Sequence, residues 1–158
     1  MDDGLTLSPI HFLIMIRTYS SIWCMDNQLR TFTAEEANAL LPTLRQLIRV
    51  LQTAHQQAID LETQIDAEEL ISEKGSEKSA HAINQLMENH RQRVTEFYAI
   101  VEQIHSYGCI LKDIEMGLID FYAVINGNVV FLCWKMGEEK VNHWHEVGQG
   151  YTARQSLA

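Results

Sequence analysis

Two long apolar patterns with helical spacing constrain this chain more than any other feature. In both, residues that are apolar or small, apart from His90, recur at alternating intervals of three and four, the period of helices that pack along their length. The first pattern comprises Leu44, Leu47, Leu51, Ala54, Ala58, Leu61 and Ile65, and the second comprises Ile83, Met87, His90, Val94, Phe97, Val101 and Ile104. A polar segment centred on Gly75, Ser72–Ser79, separates them. This arrangement predicts a long antiparallel helical hairpin, coiled-coil-like in its packing, over about residues 33–107.

Signals at both ends support this hairpin. Thr33 can accept a hydrogen bond from a first-turn amide, and Glu36 can return one to Thr33, as in a capping box. Gly108 is a typical residue just beyond a helix C-terminus. Pro42 lies too late to be a first-turn proline, so we expect a short helix, a break near Leu40 or Leu41, and then a long helix.

The periodicity changes after the hairpin, from helical spacing to runs typical of β-strands. Leu118–Ile125 and Val129–Trp134 flank Asn126-Gly127-Asn128, and Asn-Gly between two such runs is a strong β-hairpin signal. Cys109–Lys112 and Lys140–Glu146 are candidates for further strands. The chain is therefore predicted to be α+β, with the helical hairpin followed by a small antiparallel β-sheet over about residues 109–147.

Alternation of side chains divides the predicted β-hairpin into two faces. One face carries Ile119, Phe121, Ala123, Val130, Leu132 and Trp134, and we expect it to cover the helices. The other face carries Asp120, Tyr122, Phe131, Cys133 and Lys135. An aspartate in the middle of an apolar strand is costly unless it is paired or exposed. Asp120 is therefore either a solvent-facing partner of Lys135 or the base of a functional site.

The segment His143-Trp144-His145-Glu146 suggests a metal site. Residues two apart on a strand point the same way, so His143 and His145 would present two imidazoles together to zinc or another transition metal. Asp120, Cys133 and Glu146 are the candidates for a third ligand, in that order. Such a site with an open position could activate a water for hydrolysis.

The same residues also allow a purely structural interpretation. His143 and His145 would then line a partly exposed face while Trp144 packs inward with Trp134. Cys133 would be an inert sheet residue, because no surroundings that lower a thiol pKa are evident from the sequence. Arg154, near the C-terminus, could bind an anion or carboxylate, or form a surface salt bridge.

Composition limits the classes of partner. The 158 residues include 12 basic and 21 acidic side chains, a net charge of −9, which argues against nucleic acid or an anionic membrane as partner. The 3 cysteines have no regular spacing, so a reducing cytoplasm is the expected compartment.

The N-terminal segment differs from the rest of the chain. Its apolar run, Ile10–Ile16, is preceded by Asp2 and Asp3 rather than by the basic residues of a signal peptide. We expect residues 1–24 to be either a mis-annotated start, with Met25 as initiator, or an extra element attached loosely or packed on the domain. Residues 25–158 are expected to form a single domain whose tail spans 148–158.

Six stretches of the sequence form a recognisable combination. They are Phe32-Thr33-Ala34-Glu35-Glu36-Ala37-Asn38-Ala39-Leu40-Leu41-Pro42, Leu111-Lys112-Asp113, Gly117-Leu118-Ile119-Asp120-Phe121, Leu132-Cys133-Trp134-Lys135, Trp144-His145-Glu146 and Gly150-Tyr151. Together they resemble the domain-of-unknown-function 2203 family of small, mainly bacterial proteins. The resemblance runs from about Phe32 to Leu157 and implies a prokaryotic cytoplasmic protein. It implies no activity. The family motif includes His145, whereas the position of His143 varies.

Two functions from different classes follow from these patterns. The first is a protein-binding or scaffolding module that self-associates through its helical hairpin, with a protein partner or a second copy of itself. The second is a metal-binding domain, or a metal-dependent hydrolase, with its site on the sheet around His143 and His145.

Overall fold

The computed structural model describes residues 30–71 and 77–157, and the chain from Thr31 onward forms one compact unit. Two packed helices are followed by a five-stranded antiparallel sheet, which confirms the predicted α+β architecture. The N-terminal segment 1–24 lies outside the described residues. Residues 72–76 of the loop predicted between the helices also lie outside the described residues. The last three residues of that loop, Glu77 to Ser79, are helical, because the second helix begins at Glu77.

The first helix, α1, spans Ala34–Ile71 and begins with the predicted capping box. The Thr33 amide donates to Glu36 Oε2 at 2.8 Å, and the Glu36 amide donates to Thr33 Oγ1 at 3.2 Å. The predicted break before Pro42 is wrong, because α1 continues through this residue. Burial on both sides of the proline, at Leu41 and Leu44, holds the helix together against a local cost of about 3 kcal/mol.

The second helix, α2, spans Glu77–Ser106 and packs against α1. Its end is fixed by Gly108, which has a φ of +85° and whose amide bonds the His105 carbonyl oxygen at 2.8 Å. The buried helical residues are Ala37, Leu41, Leu44, Ile48, Leu51, Ala54, Ala58, Phe97, Ile100 and Ile104. Most of them lie towards the sheet end of the hairpin.

At two positions, the observed burial differs from the burial that the apolar patterns predicted. Ile48 is buried where Leu47 was expected, because α1 contacts the sheet as well as α2 and so needs a wider apolar face. Met87 is 41% exposed, because it lies in the part of the hairpin that the sheet does not cover.

The strands follow one another in space in chain order. They are β1 (Ile110–Asp113), β2 (Leu118–Ile125), β3 (Asn128–Lys135), β4 (His143–Glu146) and β5 (Gln155–Ser156). Asn126 and Gly127 connect β2 to β3 with φ of 51° and 79°, the two positive values of a type I′ turn. This turn fixes the register in which Asp120 lies opposite Cys133.

The sheet has an inner face, covered by α1 and its lead-in, and an outer face. Phe121 on the inner face meets the ring of Phe32 edge-on at 5.3 Å, and Arg45 lies over the ring of Trp134 at 5.7 Å. The six residues predicted for this face are all at most 3% exposed. The outer face carries Asp120, Tyr122, Phe131, Cys133, Lys135, His143 and His145.

Polar side chains of α1 also bind the loops of the sheet. Asn38 Oδ1 accepts the Val141 amide at 2.8 Å, Arg45 donates to the Glu138 carbonyl oxygen at 3.0 Å, and Gln52 donates to the Ile114 carbonyl oxygen at 2.8 Å. The three residues recur every seventh position, so they form one stripe beside the apolar face of α1. These bonds satisfy backbone groups that no strand pairing would satisfy.

Among residues 30–71 and 77–157, no helix combines the length and the apolar character needed to cross a membrane.

Gly117 offers a test of how tightly the sheet is joined to α1. At its φ of +58° a Cβ would lie 2.6 Å from Met136 Cβ and 3.0 Å from Ile48 Cγ2. Gly117→Ala should therefore lower the free energy of unfolding by about 2–4 kcal/mol, from backbone strain plus overpacking. Urea unfolding measures the loss.

Gly127→Ala is the matched control, because Gly127 has a φ of +79° but no atom within 4 Å of the added methyl group. We expect a loss of only about 1–2 kcal/mol there, from backbone strain alone. Equal losses in the two variants would mean that the contact between Gly117, Met136 and Ile48 is not a tight one.

Candidate metal centre

Three neighbouring strands bring Asp120, Cys133 and His145 together on the outer face of the sheet. Asp120 on β2 lies opposite Cys133 on β3, and His145 on β4 lies opposite Phe131, two residues before Cys133. All three side chains are at most 2% exposed. One carboxylate oxygen, the thiol sulfur and one imidazole nitrogen lie within 4.8 Å of one another. Carboxylate, thiolate and imidazole are all ligands of zinc in proteins.

The ring of His145 is oriented by its own strand. Its Nδ1 lies 2.9 Å from the carbonyl oxygen of Glu146. A carbonyl oxygen can only accept, so Nδ1 carries a hydrogen, and Nε2 is the nitrogen left to bind a metal. That Nε2 faces Asp120 Oδ2 at 3.3 Å. A backbone carbonyl that fixes one ring nitrogen and leaves the other facing an acidic ligand is typical of metal-binding histidines.

The carboxylate of Asp120 is buried and incompletely paired. Oδ2 lies 3.3 Å from His145 Nε2 and 4.0 Å from Lys112 Nζ, and the Cys133 thiol also interacts with the carboxylate. Oδ1 has no hydrogen-bond partner among the described residues. Burial raises the pKa of Asp120, against the opposing effects of Cys133, His145 and Lys112. The interpretation in which Asp120 is exposed and paired with Lys135 is therefore wrong.

The thiol of Cys133 is held in its neutral form. Burial, together with the nearby Asp120 carboxylate, raises the pKa of Cys133 to about 12, although Arg154 acts in the opposite direction. A bound cation would reverse this balance, because a coordinating thiol loses its proton to the metal. The three residues form the one group of at least three metal-ligating side chains found in the part of the chain that the structure describes.

His143 shares the outer face but is not among the three residues whose ligand atoms converge. Its Nδ1 is 3.8 Å from Glu138 Oε1, and that same oxygen accepts a hydrogen bond from Arg154 at 2.9 Å. The alternation of β4 placed His143 and His145 on one face, yet only His145 enters the cluster. His143 is aligned with Cys133 across the strands, where Glu138 and Arg154 are the groups nearby.

The remaining candidates from the sequence have structural positions. The Glu146 side chain is exposed on the face opposite to His145, and only its carbonyl oxygen touches the site. Trp144 is half-buried opposite Leu132, on the inner face. Arg154 stacks on the ring of Tyr151 at 3.9 Å, and it forms a partly buried salt bridge with Glu138 at 2.9 Å.

Sequence reasoning missed Lys112 and Glu138. Ile110 lies opposite Asp120, so alternation along β1 puts Lys112 on the same face as Asp120, and this signal was present in the sequence. The Lys112 ammonium lies 4.8 Å from the centroid of the Phe131 ring, at the border of the cluster. Glu138 lies in a loop, where no periodicity predicts the direction of a side chain.

The neutral state of Cys133 leads to a prediction about its reactivity. With a pKa of about 12, its thiolate fraction at pH 8 is roughly a thousandfold smaller than that of an ordinary cysteine. In chelator-treated protein, iodoacetamide should therefore label Cys133 roughly a thousandfold more slowly than in the same protein unfolded in urea. Peptide mass spectrometry after timed labelling measures both rates. Similar rates in the two samples would show that Cys133 is not held as a buried thiol.

Comparison with known proteins places the chain in a family. Residues 30–157 match the sequence model of a family described as an uncharacterized conserved protein (DUF2203). Since this match covers most of the chain, the protein belongs to that family. No curated protein and no solved structure matches the chain significantly.

Proposed function

We propose that this member of the DUF2203 family is a metal-binding protein that holds a zinc-like transition metal ion with Asp120, Cys133 and His145. The observation that carries the proposal is the carboxylate of Asp120. It is 1% exposed, one of its oxygens has no hydrogen-bond partner among the described residues, and the other lies 3.3 Å from His145 Nε2. A buried carboxylate in such surroundings is costly, and a cation between the ligands would remove that cost.

The ligand set favours a particular class of metal. A thiolate, an imidazole and a carboxylate together are of intermediate softness, which suits zinc and argues against magnesium or calcium, which prefer oxygen ligands. Three protein ligands leave a tetrahedral ion with one open position, the arrangement of catalytic rather than structural zinc sites. A more specific version of the proposal is therefore that the metal activates a bound water for hydrolysis.

A thiolate ligand also favours a particular cellular compartment for the protein. Cys109 and Cys133 are both free thiols, and a cysteine that must stay reduced to bind a metal is best kept in the cytoplasm. The net charge of −9 supports partners other than nucleic acid or an anionic membrane.

The metal content of protein purified without an affinity tag tests the proposal. We expect near-stoichiometric zinc, or another transition metal, in the wild-type protein by elemental analysis. His145→Gln should lose it, because removing one of three ligands weakens binding by more than the roughly 10–100-fold typical of residues that only support a ligand. The metal should also raise the melting temperature of the wild-type protein, because a ligand that binds the native state stabilises it.

His143→Gln is the matched control, since it makes the same change two residues away on the same strand and face. It should keep the metal content of the wild-type protein. Equal background levels of metal in wild type and His145→Gln, with no change in melting temperature on chelation, would contradict the proposal. Loss of metal in both variants would mean that His143 is a ligand as well.

Self-association through the hairpin is a second candidate, favoured by exposed apolar residues on α1. Ile59 is 41% exposed and Leu70 is 86% exposed. The two are eleven residues apart and therefore lie on one stripe of the helix. Such residues are suited to packing against a second copy of the helix.

Light scattering tests this candidate. The wild-type protein should have the mass of a dimer, with or without chelator, and the Ile59→Glu/Leu70→Glu double variant should be a monomer with an unchanged melting temperature. A monomeric wild type at micromolar concentration would rule out a stable dimer.

A further inference from the structure

Lys112 occupies the border between the buried ligands and solvent. Its ammonium group lies 4.0 Å from Asp120 Oδ2 and 4.8 Å from the centroid of the Phe131 ring, so the side chain reaches over the cluster from the edge strand β1. Lys112 is 37% exposed, whereas the side chain of Asp120 is 2% exposed. Among the described residues, Lys112 therefore offers a solvent-accessible cation directly beside the ligand set.

The other cation beside the cluster has a partner already. Arg154 lies 4.0 Å from the sulfur of Cys133, but its guanidinium is bonded to Glu138 Oε1 at 2.9 Å. The charge of Arg154 is thus balanced by Glu138. Lys112 has no comparable partner once a metal is bound, because the carboxylate that it faces would then be a ligand of the ion.

The charges around a metal-loaded site predict the sign of the charge on a ligand that fills the open coordination position of the metal. A divalent ion balances the Cys133 thiolate and the Asp120 carboxylate, and the ring of His145 is neutral when it binds a metal. Arg154 and Glu138 cancel. The ammonium of Lys112 then leaves one positive charge in excess, next to a metal with an unfilled coordination position.

We propose that the metal-loaded centre binds a small, singly charged oxyanion of the carboxylate type in its open position, and that Lys112 holds this anion by a charge-assisted hydrogen bond. The inference rests on the proposed metal site. The distances permit it. With a metal–oxygen bond of about 2.1 Å, an ion bound to Asp120 Oδ2 would lie no more than about 6 Å from Lys112 Nζ. One anion can bridge that separation.

A purely structural role for Lys112 makes a different prediction. A lysine that only neutralises Asp120 in the metal-free protein would oppose metal binding, and its removal would strengthen metal binding without affecting anions. A lysine that holds an anion must also be needed for anion affinity. The two roles are separated by measuring the metal and the anion independently.

The experiment uses protein loaded with cobalt(II), whose visible absorption reports its coordination. Acetate is titrated into wild type, Lys112→Met and Lys112→Arg, and the dissociation constant is read from the change in the cobalt spectrum. Lys112→Met should bind cobalt at least as tightly as wild type but bind acetate about tenfold or more weakly, the usual effect of losing a hydrogen bond to a charged group. Lys112→Arg should retain most of the acetate affinity. Lys140→Met removes the same charge from an exposed loop residue and should leave both affinities unchanged.

Each alternative result has a distinct meaning. Absence of a cobalt spectrum in the wild-type protein overturns the metal site and this inference with it. A cobalt spectrum that acetate does not change, or equal acetate affinities in wild type and Lys112→Met, overturns the inference and leaves the metal site intact. Titration with inorganic phosphate distinguishes the class of anion: binding tighter than that of acetate would overturn the preference for a singly charged carboxylate.

Discussion

The burial of one apolar face of α1 is the constraint on which the rest of the structure depends. This helix packs simultaneously against α2 and against the inner face of the sheet, so it supplies the core of both halves. Its residues there are at most 2% exposed: Ala37, Leu41, Leu44, Ile48, Leu51 and Ala54. At roughly 1.5–3 kcal/mol for each large side chain, this burial outweighs the cost of a proline within the helix. The polar stripe Asn38, Arg45 and Gln52 then fixes where the sheet lies along α1.

With its inner face occupied by this core, the sheet has only its outer face left for chemistry. The consequence is unusual, because the outer face is also buried around Asp120, Cys133 and His145. A carboxyl group, a thiol and an imidazole are taken out of water together, at a cost that an apolar replacement would not incur. The neighbouring cations Lys112 and Arg154 offset only part of that cost. A stability argument alone therefore does not account for these three side chains at one place, which is why we propose a metal ion that they share.

Much of this organisation follows from periodicity, and what does not follow has a physical reason. Side-chain alternation predicted both faces of the β2–β3 hairpin, but it left either Cys133 or Lys135 opposite Asp120. The turn at Asn126-Gly127 in the structure selects Cys133. Alternation could not distinguish an exposed from a buried Asp120, because it says nothing about what covers a face. Nor could it separate His143 from His145, since the groups near His143 come from a loop and from the C-terminal segment, where side-chain direction has no period. The break expected at Pro42 failed for another reason, since local propensity was overridden by tertiary burial.

The chain-order arrangement of the strands has a consequence for how the protein folds. Each cluster residue follows the previous one by about a dozen residues on the next strand of the meander, so bringing the three together closes only short loops. By contrast, the bond from Asn38 to Val141 joins residues 103 positions apart. Contacts between distant residues must overcome a larger loop-closure entropy, and a larger share of such contacts slows folding. The meander can therefore bring the three side chains together before α1 docks, and docking of the helix then becomes the step that locks an already assembled cluster into place.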